Sequence, residues 1–113
     1  MAALPRSVLF CCDHNAVRSP MAEALMKRLH GARVYVQSAG VKHDQEVDPF
    51  AVAVCEEIGV KLEAHKSRSF QELAELGEQV DGYDLIVALS PAARHAAMEL
   101  TRARVASSFR AVS

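Results

Sequence analysis

The sequence VLFCCDHNAVRSPMAEAL, residues 8–25, combines an apolar run, a short polar stretch and a segment with helical spacing. The run through Val8, Leu9 and Phe10 is typical of a strand that is covered on both faces of a parallel sheet. Residues 20–30 carry apolar side chains at the spacing of a helix, and Gly31 suits its end. This stretch therefore predicts a strand, a loop and a helix in succession.

The same alternation continues along the chain. Residues 33–38 and 83–89 are rich in β-forming residues and predict two further strands, whereas residues 48–59, 70–76 and 91–102 predict helices. This order predicts an α/β fold, in which a small open parallel sheet carries helices on both faces and the crossovers are right-handed. In such a sheet, ligands bind at the carboxyl ends of the strands.

Length and charge exclude several classes of protein. The chain has 113 residues and a formal net charge of −1, so we expect a single domain, residues 1–113. It lacks the basic excess of a nucleic-acid-binding module or of a polybasic membrane binder. The apolar run near the start is too short for the core of a signal peptide or for a membrane span. We therefore expect neither nucleic acid nor a membrane as a partner.

The chain contains three cysteines, Cys11, Cys12 and Cys55. Their odd number argues against a disulfide framework, and neighbouring cysteines on a strand point to opposite faces. These thiols predict a reducing compartment and hence a cytoplasmic protein. Cys12, His14 and Cys55 lack the spacing of zinc ligands, so we expect no metal and no cofactor. Cys55 falls on the apolar face of a predicted helix, which indicates a core position.

The loop between the first strand and the first helix is suited to binding an oxyanion. Several backbone N–H groups and the positive end of the helix dipole converge there. Arg18 can hold two oxygens of such an ion at once. The same positive surroundings favour the thiolate of Cys12, which would then be placed to attack phosphorus. Asn15 tolerates a left-handed turn better than most residues, and Ser19 could bond the thiolate or the loop.

Taken singly, these residues have simpler interpretations. A cysteine at the end of a strand is usually a small buried hydrophobe, and an arginine near the start of a helix usually lies at the surface. The combined spacing Cys-x-x-x-x-x-Arg-Ser-Pro at a junction between strand and helix favours the functional interpretation. A nucleotide-binding P-loop is excluded, because no Gly-Lys-Ser or Gly-Lys-Thr is present.

The stretch at 8–25 resembles the amino-terminal signature of the low-molecular-weight protein tyrosine phosphatases. The segments SAG (38–40), DPFAVAVCEEIGVKLEAHKSRSF (48–70) and YDLIVALS (83–90) follow in the order of that family. The resemblance implies the phosphotyrosine phosphatase I-like, Rossmann-like fold. It also implies a phosphotyrosine protein or a small aryl phosphate as substrate, with inorganic phosphate or sulfate as further ligands of the loop.

The resemblance assigns roles to individual residues. It implies that Cys12 is the nucleophile of a phosphocysteine intermediate and that Arg18 binds the phosphoryl oxygens. The implied substrate-binding bowl consists of the loop residues Asp13, His14, Asn15, Ala16, Val17 and Arg18. The implied hydrogen-bond network that supports the loop consists of Asn15, Ser19, Ser38 and His65. Asp13 and His14 stand where the family often has small residues, so we expect them to line the mouth and to affect substrate choice.

The sequence departs from the family in two places. Val17 stands where many members carry a second cysteine, which excludes the protective disulfide with the nucleophile. The family's general acid is an Asp in an Asp-Pro pair beyond the last strand, but no Asp follows Asp84. Asp48 and Pro49 precede an apolar helical pattern, which indicates a helix cap.

The tail, residues 103–113, shows neither a clear period nor end signals. We therefore expect the last strand and the acid loop to be missing, as in a truncated or frame-shifted chain. The third strand would then be an exposed edge, through which a homodimer could form.

Three functions remain open. The first is a phosphatase that acts through Cys12. The second is a thiol-dependent arsenate reductase, although that chemistry uses further cysteines and none follows Cys55. The third is a non-catalytic module that binds oxyanions or phosphoproteins, which the missing acid favours.

Overall fold

The computed structural model describes residues 4–43, 45–62, 65–100 and 104–107. Strands and helices alternate along it as predicted. In chain order the elements are β1 (Ser7–Cys12), α1 (Arg18–His30), β2 (Tyr35–Gly40), α2 (Pro49–Glu57), α3 (Phe70–Glu75), a short 3-10 helix (Val80–Gly82), β3 (Leu85–Ala88), α4 (Pro91–Leu100) and β4 (Arg104–Ser107). None of the helices in the described part is long and apolar enough to cross a membrane.

The four strands form one parallel sheet in the order β2-β1-β3-β4. β1 lies in the middle, and its Cys11 is paired with Ala39 of β2 and with Ala88 of β3. The predicted α/β fold is confirmed. The loop that follows β1 consequently emerges between the carboxyl ends of two neighbouring strands, where parallel sheets bind their ligands.

The expectation that the last strand is missing is wrong. β4 pairs in parallel with β3, with Val105 beside Ile86 and Ser107 beside Ala88. Its four residues carry too weak a pattern to indicate a strand, and pairing with β3 supplies what the local sequence lacks. The edge of β3 is therefore occupied, which removes the basis for the homodimer expected there. The expected loss of the acid loop concerns residues beyond 107, outside the described residues.

Helices cover both faces of the sheet. Successive residues of β1 point to opposite sides, so that Leu9 packs with Ile86 in one apolar cluster whereas Val8 packs with Val36 in another. The first cluster includes residues of α3 and α4, and the second is packed against Met26 of α1. A third cluster, between α1 and α2, contains Cys55, which is fully buried as predicted.

Two helix starts bear on the site. Asp48 caps α2, because its carboxylate accepts a hydrogen bond from the Phe50 N–H at 2.7 Å and Pro49 follows as the first helical residue. The predicted cap is thus confirmed. α1 begins at Arg18, two residues before Pro20. Pro20 is tolerated in the first turn because the N–H groups there have no acceptor within the helix.

Candidate active site

The loop of residues 13–17 and the end of β1 that leads into it are held from outside through their carbonyl oxygens. Four carbonyls accept hydrogen bonds from neighbouring elements: Cys12 from Val41 N (3.0 Å), Asp13 from Lys42 N (2.9 Å), Asn15 from Ser67 Oγ (2.7 Å) and Ala16 from Asp48 N (3.0 Å). Across a planar trans peptide, the next N–H points the opposite way. The amides that follow these carbonyls therefore point towards the inside of the loop, which forms a concave surface suited to an anion.

The amino end of α1 adds positive character to this surface. The residue that precedes the helix is Val17, whose apolar side chain cannot cap the helix. The first turn contains no acidic residue. The first N–H groups of a helix lack intrahelical acceptors and carry the positive end of its dipole. An anion in the loop would satisfy both.

Cys12 lies at the floor of this surface. The residue is 4% exposed, and its Sγ is 2.9 Å from Ser19 Oγ. It lines a cavity of about 150 Å³, whose walls also include Asp13, His14, Ala16, Val17, Arg18 and Gln45. Pockets for drug-sized ligands usually measure about 300–1,000 Å³, so this cavity is suited to a single small group such as a phosphoryl group. Gln45 is a wall residue that the sequence analysis did not single out.

Asn15 does not line the cavity but holds the loop from behind. It is fully buried and has a positive φ of 55°, which is costly for a residue other than glycine. Its amide nitrogen donates to Ser19 Oγ at 2.8 Å and to Ser38 Oγ at 2.9 Å. Its amide oxygen accepts from Arg68 N at 2.9 Å and lies 3.1 Å from His65 Nε2. The structure thus brings together the four residues implied to support the loop.

Glu23 extends this network and was missed in the sequence. Its carboxylate is buried and accepts hydrogen bonds from Ser38 Oγ at 2.5 Å and from Lys27 Nζ at 2.6 Å. Glu23 Oε1 also lies 3.8 Å from Nδ1 of His65. Burial lowers the pKa of His65, although the Glu23 carboxylate opposes this shift. The spacing of four residues from Ser19, which places Glu23 on the same face of the helix, could have indicated it.

Gly40, at the end of β2, lies directly against the loop. A Cβ atom at this position would lie 2.7 Å from the backbone nitrogen of Asn15 and 2.8 Å from the carbonyl carbon of His14. Both atoms belong to the loop backbone, which hydrogen bonds to the carbonyls of Asp13 and Asn15 hold in place, so they cannot shift cheaply. The glycine of the SAG segment is therefore required for the close approach of β2 to the loop.

Two contacts connect the loop to the far side of β1. Arg18 Nη1 donates to the carbonyl oxygen of Leu89, just after β3, at 2.8 Å. Ser90 donates its hydroxyl to Asp13 Oδ1 at 2.6 Å, and Ser90 Oγ itself accepts a hydrogen bond from Ala93 N at 3.1 Å in the first turn of α4. These contacts fix the side chains of Arg18 and Asp13 at the mouth of the cavity.

The other two cysteines are separated from the cavity. Cys11 is fully buried, and burial together with the nearby Cys12 raises the pKa of its thiol to about 12. Cys55 is fully buried between α1 and α2. All three cysteines are free, and Cys12 is the one that reaches the loop cavity. Among the described residues, no group of three or more His, Cys, Asp or Glu side chains could hold a metal ion.

Comparisons with known proteins place this geometry in context. Residues 7–110 match the model of the low molecular weight phosphotyrosine protein phosphatase family. The low molecular weight protein-tyrosine-phosphatase Etp of Escherichia coli K12 is 40% identical over 88 residues, which cover 74% of this chain and 53% of Etp. The glutaredoxin arsenate reductase of Synechocystis sp. is 31% identical over 84 residues, which cover 74% of this chain and 60% of that protein. The chain thus matches between half and two thirds of each relative.

A solved structure shows the same fold. The arsenate reductase of Archaeoglobus fulgidus superimposes with a TM-score of 0.70 at 30% identity, and the alignment covers 90% of this chain and 76% of that chain.

Proposed function

Because this chain belongs to the low molecular weight phosphotyrosine protein phosphatase family, we propose that it hydrolyses phosphate monoesters through Cys12. The substrate class is a phosphotyrosine side chain of a protein or a small aryl phosphate. The observation that carries the proposal is the position of the Cys12 sulfur at the floor of a small cavity that Arg18 borders at the start of α1.

The reaction proceeds in two steps. The Cys12 thiolate attacks phosphorus, so that an S–P bond forms, the P–O bond to the aryl group breaks and the aryl oxide leaves with the bonding electrons. Water then attacks the phosphocysteine, which releases inorganic phosphate and restores the thiolate. The inward N–H groups of the loop and the Arg18 guanidinium stabilise the charge on the three remaining phosphoryl oxygens. Ser19, at 2.9 Å, donates a hydrogen bond to the thiolate.

Turnover of an activated aryl phosphate, such as nitrophenyl phosphate, tests the proposal directly. Cys12→Ser should abolish turnover, because a serine hydroxyl is far less ionised than a thiol. Cys55→Ala is the matched control, since it removes a thiol that does not reach the cavity. Acid quenching during turnover, followed by peptide mass analysis, should find a phosphoryl group on Cys12. Unimpaired turnover by Cys12→Ser would contradict the proposal.

Arsenate reduction is a second candidate, which the similarity to arsenate reductases favours. Cys12 would attack arsenate with loss of water, and a second thiol would then attack the Cys12 sulfur. That step forms a disulfide and releases arsenite, so the two thiols supply both electrons. Cys11 and Cys55 are buried, and the thiol of Cys11 has a raised pKa. The second thiol would therefore come from an external monothiol or dithiol.

One assay series separates the candidates. Nitrophenyl phosphate turnover without added thiol identifies a phosphatase, whereas arsenite production that requires added glutathione or a reduced glutaredoxin identifies a reductase. Phosphate binding without either activity identifies a non-catalytic oxyanion-binding module. All three cysteines are free, which supports a reducing compartment, and we propose that the protein works in the cytoplasm.

A further inference from the structure

A second cavity, of about 470 Å³, lies between α1 and the segment that follows α2. It shares no wall residue with the cavity at Cys12. Five of its wall residues are cationic, namely Lys27, Arg28, Lys61, Lys66 and Arg68. Glu23 is the one carboxylate among the described wall residues. The walls therefore carry a large positive excess, although the chain as a whole has a net charge of −1.

Two of the five cations are held in place. Lys27 is bound to the buried carboxylate of Glu23 at 2.6 Å. Arg28 donates to the carbonyl oxygen of Ile58. Gly59 makes the position of Arg28 possible, because a Cβ atom there would lie 2.7 Å from Arg28 Nη1. Gly59 also has a φ of 79°, a backbone conformation that residues other than glycine rarely adopt.

The other three cations have unused binding capacity. No hydrogen bond or ion pair joins the side chains of Lys61, Lys66 and Arg68 to other described residues. Arg68 does interact electrostatically with Tyr35, Tyr83 and His65, none of which supplies a counter-charge at neutral pH. Clustered like charges repel one another, so such a group is stabilised when an anion binds between them. Arg68 offers a planar fork for two oxygens, and the lysines offer flexible point charges.

We propose that this cavity is a second anion site, which binds a small ligand with several phosphate groups, such as an inorganic or nucleoside triphosphate. A volume of about 470 Å³ is about three times the 150 Å³ of the loop cavity and exceeds what one phosphate needs. It falls within the range of about 300–1,000 Å³ that small-molecule sites usually have. Lys27 and Arg28 form the fixed wall, and Lys61, Lys66 and Arg68 supply the remaining positive charge to the ligand. This proposal does not depend on the activity of Cys12.

The test measures the binding of inorganic triphosphate to the whole chain. All variants carry Arg18→Ala, because this change weakens phosphate binding at the loop. Calorimetry should show one triphosphate bound per chain. The double variant Lys61→Ala/Lys66→Ala should raise the Kd at least about tenfold, because hydrogen bonds to charged groups are among the strongest polar contacts. Lys42→Ala/Arg94→Ala removes the same charge outside both cavity walls and should change the Kd much less.

Three results would overturn the proposal. Absence of triphosphate binding in the Arg18→Ala background would place the anion at the loop. An unchanged Kd in Lys61→Ala/Lys66→Ala would exclude this cavity. An equal rise of the Kd in Lys42→Ala/Arg94→Ala would show that binding depends on the overall charge of the protein and not on this cavity. The substituted lysines are exposed, so the melting temperature without ligand should stay the same and should show that each variant folds.

Discussion

The sulfur of Cys12 lies 2.9 Å from the hydroxyl oxygen of Ser19, and the same hydroxyl accepts a hydrogen bond from the side chain of Asn15. The hydroxyl hydrogen is consequently free to point at the sulfur. A thiolate at Cys12 would accept a hydrogen bond from a hydroxyl that a buried network holds in position. This arrangement connects the left-handed turn at Asn15 with the surroundings of the Cys12 sulfur.

Ser19→Ala should slow turnover of nitrophenyl phosphate about tenfold to a hundredfold, because a hydrogen bond to a charged group contributes about 1.5–3 kcal/mol. Alkylation of Cys12 at mildly acidic pH should slow as well, which peptide mass analysis can follow. Ser7→Ala is the matched control, since that hydroxyl binds the Asp84 amide at the other end of β1. Equal rates in Ser19→Ala and the native chain would show that the loop amides alone sustain the thiolate.

Arg18→Ala should weaken the binding of phosphate, sulfate or vanadate at least about tenfold, on the same reasoning about charge-assisted hydrogen bonds. Bound anions raise the melting temperature by mass action, so thermal unfolding at increasing phosphate concentration measures this loss. Arg94→Ala, an exposed position on α4, should leave the phosphate response intact. A full response in Arg18→Ala would mean that monophosphates bind elsewhere.

Gly40→Ala should destabilise the protein by about 1–3 kcal/mol, the usual cost of overpacking, because the added methyl group meets the loop backbone. Phosphate binding should weaken in parallel as the loop is displaced. Gly82→Ala is the control, since its added methyl group meets nothing within 4 Å. Denaturant unfolding compares the two variants. Equal stability would show that β2 can move away from the loop at little cost.

The rate should depend steeply on the leaving group. Asp13 is the one carboxylate among the described walls of the loop cavity, and the hydroxyl of Ser90 already binds it. General acid catalysis typically contributes about 10²–10⁴-fold, and without it an aryl oxide leaves unprotonated. We expect nitrophenyl phosphate to react with a burst close to the enzyme concentration and phosphotyrosine to react slowly. A flat series of aryl phosphates would identify another residue as the acid.

His43 should make stability depend on pH. Its ring nitrogens lie 2.6 Å from Glu72 and 3.1 Å from Glu46, and the bond to Glu72 is the main reason that the pKa of His43 is raised. The stabilisation is therefore fully present below the unfolded pKa of about 6.5 and is lost as the pH rises through the higher folded value. The hydrogen bond from His43 also lowers the pKa of Glu72. In strong acid, the stabilisation is therefore lost as the pH falls through the folded pKa of the Glu72 carboxyl.

Melting temperatures of His43→Gln and of the native chain should accordingly differ most in mildly acidic buffer and converge at alkaline pH. His30→Gln, at the end of α1, serves as the control that removes a histidine outside this cluster. If the difference in melting temperature stayed constant from acidic to alkaline pH, His43 would stabilise the protein by packing and not by its charge.

The local sequence was sufficient to predict the order of strands and helices around the site. The apolar run through Leu9, the helical spacing after Pro20 and the Asp48-Pro49 cap all act within a few residues of the chain. The parallel arrangement then follows from the alternation of strands and helices, and it places Cys12 at the end of the central strand. The position of Arg18 in the same loop needs no information from distant parts of the chain.

Tertiary structure alone decided β4 and most of the contacts that shape the loop. β4 is a strand because β3 offers it a row of backbone partners, and no such partner is visible in residues 104–107 themselves. Arg18 meets the Leu89 carbonyl across 71 residues, and Asp13 meets Ser90 across 77. Hydrogen bonds of this kind depend on which strand ends the sheet brings together, and burial then makes each unpaired polar group costly. A local pattern carries the propensity of a segment but not the identity of its neighbours.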